Sequence, residues 1–246
     1  MPLVVAEETY DWKSLNNISD TALQLAKQER FSEAAQLLNY FATEFEQIPL
    51  DREALSLDHL RTITSTHQRA LEVLGNDGLS TDEKVRTLTQ FRLVVDAMVS
   101  EHQPLWGSLE TSIMATFSQL KSNLASGNQQ SFNNEWNRFL TLYDMIYPSI
   151  QVDSDSTHVK RIDAHISVVE DSFFEQVSET TKVKQLTLME EELRDLFDRV
   201  KEDDADPSLL WVMISTGSVI FLSLSYAGWR LYRGEKEKEI QRDREK

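Results

Sequence analysis

Apolar side chains recur at three- and four-residue spacing along nearly the whole chain up to residue 206, a period that predicts helices rather than strands. The pattern resolves into about eight of them. The first runs from about Asp11 to Gln28 with Trp12, Leu15, Ile18, Ala22 and Leu25 on one face, and the second from Ser32 to Glu46 with Ala35, Leu38, Phe41 and Phe45. A third, Arg52 to Leu74, carries Leu57, Leu60, Ile63, His67 and Leu71 and stops at the turn Gly75-Asn76-Asp77-Gly78. Ser80-Thr81-Asp82-Glu83 then reads as a capping box, in which the hydroxyl and the carboxylate each satisfy a backbone N–H of the other residue, and it opens a fourth helix to about Glu101. Beyond Pro104 come Leu105 to Ala125, Gln129 to Tyr147, Thr157 to Val177 and Thr181 to Lys201, with Pro148 and a polar stretch through Ser156 as the break between the second and third. The aromatic residues on these helices, among them Phe117, Phe132, Trp136, Phe139, Phe173 and Phe197, fall at helical spacing and are expected in the core.

The four helices before Pro104 resemble the four after it. His67 and His165 are 98 residues apart, and Lys84-Val85-Arg86-Thr87-Leu88-Thr89 aligns with Lys182-Val183-Lys184-Gln185-Leu186-Thr187 at the same offset. Pro49 and Pro148 lie 99 apart, and Phe31 and Phe132 lie 101 apart. That offset points to two copies of a four-helix half, residues 11–103 and 104–206, against the alternative that amphipathic helices align by pattern alone. The first pair also has the cadence of a tetratricopeptide hairpin, Leu23-x-Leu25-Ala26 followed by Phe31-Ser32-Glu33-Ala34-Ala35-x-Leu37-Leu38, but that repeat does not continue. The expected fold is an all-α helical bundle.

A different pattern takes over near the end. Leu209 to Trp229 reads LLWVMISTGSVIFLSLSYAGW, 21 residues without a charge, in a chain that is 27% charged. As a helix this is about 31 Å long, the thickness of a bilayer's hydrocarbon core. Trp211, Trp229 and Tyr232 suit the interfacial belts, so residues 207–232 are expected to form one transmembrane helix and 233–246 a charged tail. Ser215, Ser218, Ser223 and Ala227 would make its small-residue packing face.

Charge bears on orientation and partners. Residues 230–246 hold seven Lys or Arg and five Asp or Glu, so the net charge of −16 conceals a net of −18 before them. A domain this acidic is repelled by phosphate, which excludes nucleic acid as a natural partner. The basic cluster Arg230, Arg233, Lys236 and Lys238 places the tail in the cytoplasm and the helical domain outside, at the cell membrane. That topology requires a signal peptide. Residues 1–10 are read as its remnant or as a disordered start, because Leu3-Val4-Val5-Ala6 before Glu7-Glu8 resembles the last positions of a cleavage site.

Candidate chemistry is sparse. There is no cysteine, hence no disulfide or thiolate site, and the five histidines form no ligand spacing such as HExxH. No phosphate loop, nucleophile elbow or dinucleotide fingerprint occurs, so no catalytic, cofactor-binding or metal residues are assigned and an enzyme is not expected. Glu190-Glu191-Glu192, Asp195 and Asp198 read as a solvated helix face. Three residues remain as candidates for an interface: His67 and His165, at matching positions of the two halves, and Trp106, beside Pro104 and Gly107 at their junction.

Taken together, Trp12-Lys13-x-Leu15, Ala22-Leu23-Gln24-Leu25, Lys27-Gln28-Glu29-Arg30-Phe31 leading into Ala34-Ala35-x-Leu37-Leu38, and Leu224-Ser225-Tyr226-Ala227-x-Trp229-Arg230 resemble the YpjB-type sporulation proteins of endospore-forming bacteria. The resemblance implies a membrane protein of the sporulating cell with an N-terminal signal and an external helical domain, and it supplies no mechanism. A non-enzymatic interaction or scaffold protein with a protein partner and a lipid bilayer is the leading expectation; a membrane-bound sensor or small-molecule-binding module is the alternative.

Overall fold

The computed structural model describes residues 5–48, 56–100, 103–154 and 156–202, with side chains from residue 12 to residue 200. Eight α-helices are described, and no strand occurs among these residues. They are α1 (Val5–Lys27), α2 (Phe31–Phe45), α3 (Leu57–Leu74), α4 (Thr81–Val99), α5 (Glu110–Ala125), α6 (Gln129–Asp153), α7 (Ser156–Glu170) and α8 (Glu179–Glu202), with short 3-10 helices at Leu105–Leu109 and Phe174–Gln176. Helix α1 begins at Val5, inside the stretch expected to be a remnant or disordered. The predicted span 207–232, its packing residues Ser215, Ser218, Ser223 and Ala227, and the tail lie outside the described residues. Among the described residues no helix is long and apolar enough to cross a membrane.

Local chemistry sets the helix ends. The capping box at Ser80 and Glu83 is complete, Ser56 accepts from the His59 N–H and Asn128 from the Ser131 N–H. The α1–α2 and α5–α6 hairpins close in the same way. The Arg30 N–H bonds the Leu25 carbonyl and the Asn128 N–H the Asn123 carbonyl, each at 3.0 Å, and the residue before each adopts a left-handed conformation. Glycine takes that conformation freely at Gly127 (φ 68°), whereas Glu29 (φ 61°) bears the steric cost of its Cβ.

Two apolar clusters form the interior. One is built by α1 to α4, from Leu15, Ala22, Leu38, Phe41, Ile63, Leu88 and Phe91 among others. The second gathers Trp106, Ile113, Phe117, Phe139, Ile146, Ile162, Leu193 and Phe197 with their neighbours. Helix α4 serves both: Phe91, Val94 and Val95 face the first cluster while Leu93 and Ala97 face the second. Seven consecutive residues, Phe91 to Ala97, are buried in consequence, which a helix tolerates only when neighbours cover every side of it.

Two expectations are corrected. Helix α6 continues through Pro148 to Asp153 instead of ending at Tyr147. Proline deprives the carbonyl four residues earlier of its N–H partner, and that carbonyl belongs to Asp144; here the Gln90 side chain of α4 donates to it at 2.7 Å. A neighbouring helix thus supplies the bond that proline removes. Helix α7, expected to reach Val177, stops at Glu170 because Asp171 takes over the local hydrogen bonding, its carboxylate accepting from the Phe173 N–H (2.7 Å) and its carbonyl from the Phe174 N–H (2.9 Å).

Candidate functional site

The three candidate interface residues take different positions. Trp106 is fully buried, its indole N–H donating to Asp153 at 2.8 Å and its ring 5.4 Å from that of Phe197, so it fills the space between the Leu105–Leu109 turn, the end of α6 and α8. His67 packs between the rings of Phe41 (5.7 Å) and Phe91 (5.5 Å) and donates through Nε2 to the Leu38 carbonyl at 2.7 Å. That bond ties α3 to α2. His165 is half-buried on α7 and accepts through Nδ1 from the Gln185 amide of α8 at 2.8 Å. His67 thus contacts α2 and α4, and His165 contacts α8.

The Asp171 turn beside His165 opens a groove. It directs Phe174 inward, against the ring of Phe132 at 6.4 Å and under the Lys182 ammonium at 5.7 Å, and leaves Phe173 64% exposed. Phe173 was expected in the core; the shortened helix rotates it out and seats its neighbour instead. Val168, Phe173, Phe174 and Val177 make the apolar lining of a groove of about 660 Å³ between the end of α7 and the start of α8. Ser167, Asp171, Thr181 and Gln185 add polar edges, so the His165–Gln185 bond lies at its border.

Polar cross-links hold α7 and α8, the walls of the groove. Tyr143 and Tyr147 of α6 both donate to Asp163 of α7, at 3.0 Å each. Arg161 of α7 pairs with Glu192 of α8 at 3.1 Å and donates to buried His158 at 2.8 Å, while Lys121 of α5 pairs with Glu190. Glu190 and Glu192 are therefore bridging groups, whereas Glu191, Asp195 and Asp198 are exposed. Burial first, and then the charge and hydrogen bond of Asp163, hold the Tyr143 hydroxyl far above the ordinary tyrosine range, and Tyr147 is raised by burial and by its bond to Asp163. The unfolded tyrosines ionise near pH ~10 while these two keep their protons, so above that pH the folded state binds more protons and stability falls as pH rises. Urea midpoints measured between about pH 8 and pH 11 should decline, and Tyr143→Phe should flatten the decline; equal slopes in both proteins would refute the linkage.

Sequence reading missed a buried ionic junction. Arg92 and Asp96, each about nine-tenths buried on α4, pair at 3.4 Å; Arg92 also reaches Asn16 (2.7 Å) and Asp20 (3.5 Å) on α1. The Asp96 carboxylate accepts from the Leu105 N–H (2.6 Å) and the Ser100 hydroxyl (3.3 Å), which fixes the chain on both sides of Pro104. The available signal was one Arg and one Asp, four residues apart, inside the otherwise apolar run Phe91–Met98. Among the described residues no three His, Asp or Glu stand together as a metal-binding group.

A family and a relative among known proteins agree on what the chain is similar to. The family described as Sporulation protein YpjB (SpoYpjB) matches residues 12–241. A protein of Bacillus subtilis (strain 168) described as Uncharacterized protein YpjB is 40% identical over 244 residues, covering 97% of this chain and 91% of its own length. No solved structure matches the chain.

Proposed function

We propose a role from one fact: the chain belongs to the YpjB family of sporulation proteins. In this reading it is a single-pass membrane protein, anchored by residues 207–232, whose helical domain lies outside the cytoplasm and works as a non-enzymatic platform for a partner protein. The groove between α7 and α8 is the docking site. The observation that carries it is Phe173, a phenylalanine left 64% exposed on the rim of an apolar groove instead of in the core.

Charge selects the partner's chemistry. Asp171 lines the groove, and Glu170, Glu175 and Glu179 stand within two residues of its lining residues in the sequence against Lys182 and Lys184, in a chain of net charge −16. A basic amphipathic helix, laying its apolar face on Phe173 and Val168, matches both features. Crosslinking pull-down with the full-length chain from sporulating cells should capture such a partner, and Phe173→Glu should lose it. Because the side chain is exposed, that substitution should change stability by no more than about 0.5 kcal/mol. Undiminished capture by the variant rules the groove out.

A volume of about 660 Å³ also falls in the range of small-molecule sites, which keeps a sensor in view. A thermal shift by a small apolar compound, abolished by Phe173→Glu and without a captured protein, favours that reading. Reporter fusions before and after the span test the topology.

A further inference from the structure

A smaller cavity, of about 230 Å³, opens where α3, α4 and α6 meet. Arg69 of α3 and Arg86 of α4 line it, and neither has an ion-pair partner among the described residues, although Arg86 feels the charge of Glu83. Arg30, Arg61, Arg92, Arg138, Arg161 and Arg194 all have one. Among the described residues Arg69, Arg86 and Arg199 are the arginines without an ion pair, all three exposed, and two of them share this cavity.

We propose that the cavity binds a small carboxylate that also carries a hydrogen-bond donor, the chemistry of a free α-amino acid. A guanidinium offers only donors, in a planar fork that matches a carboxylate. Acceptors stand beside the two arginines. Glu83 lines the cavity with its Oε2 bonded to the backbone N–H and hydroxyl of Ser80, and Asp144 lines it from α6. A bare polyanion would meet those oxygens unfavourably, whereas an ammonium group would pair with them. Val73, Leu79 and Met145 leave an apolar wall for a small side chain. Such a ligand would bridge α3 and α4, which build the first cluster, to α6 of the second. This inference stands apart from the α7–α8 groove and does not depend on it.

The test is calorimetric titration of the full-length chain in detergent with a panel of the common amino acids, acetate and inorganic phosphate. At least one amino acid should bind saturably and more tightly than acetate or phosphate. Arg69→Gln and Arg86→Gln should each weaken it about tenfold, the value of one charge-assisted hydrogen bond. The double variant should lose it, while Arg199→Gln binds as the unaltered chain does. Glu83→Gln, which can still cap α4, should weaken the amino acid but leave acetate unchanged. No saturable binding by any probe, or binding that survives the double variant, overturns the site. Acetate or phosphate bound as tightly as the amino acid overturns its ligand class. Helical circular dichroism of each variant, with Arg69→Lys and Arg86→Lys as charge-keeping substitutes, separates lost binding from lost folding.

Discussion

Replacing Trp106 by alanine should lower the unfolding free energy of the helical domain by about 3–5 kcal/mol. The indole is completely buried between the Leu105–Leu109 turn and Phe197, so truncation removes the largest fully buried side chain of the second cluster and leaves a cavity that helices fixed on several sides cannot close. Trp106→Phe separates the contributions. It keeps much of the ring volume and loses the bond to Asp153, so it should cost clearly less than alanine does. Urea unfolding followed by circular dichroism on the full-length chain measures both; a loss below about 1 kcal/mol for the alanine variant would show that Trp106 is not the plug.

Asp96→Ala should be of similar size, about 3–5 kcal/mol, for an electrostatic reason. The carboxylate serves three partners at once, and removing it strips Arg92 of its buried counter-charge and leaves the Leu105 N–H and Ser100 hydroxyl without their acceptor. A buried ion pair is costly to break and much cheaper to replace whole. The double substitution Arg92→Met with Asp96→Leu should therefore be more stable than Asp96→Ala alone. Strictly additive effects of the two positions would contradict a coupled pair.

The junction and the plug together explain how the two apolar clusters are joined. Asp96 holds the Ser100 hydroxyl before Pro104 and the Leu105 N–H after it, and Trp106, two residues beyond the proline, seals against the end of α6 and α8. Gln90 contributes a third tie by satisfying the carbonyl that Pro148 orphans. All three ties connect residues from 9 to 54 positions apart.

Why some of this was legible in advance follows from range. Helix identity depends on neighbours within about four residues, so periodicity located the eight α-helices of the described residues, and the Ser80–Glu83 box, a purely local exchange of bonds, is present as read. The family was legible too, because short runs such as those around Trp12, Phe31 and Tyr226 are carried by the linear order itself. The length and apolarity of residues 207–232 are likewise properties of the linear chain, and so is the anchor proposed from them.

What only the tertiary structure decided involves partners distant in sequence. A proline inside a helix reads as a break until another helix brings a donor to the freed carbonyl, and Gln90 lies 54 residues from Asp144. Phe173 and Phe174 are equally apolar in the sequence, and a single turn at Asp171 determines which is buried and which is left exposed. Arg92 and Asp96 look like a surface pair at i, i+4 spacing until α1 and the Pro104 segment close over them. Each outcome rests on desolvation, and desolvation of a side chain is set by which distant segments cover it.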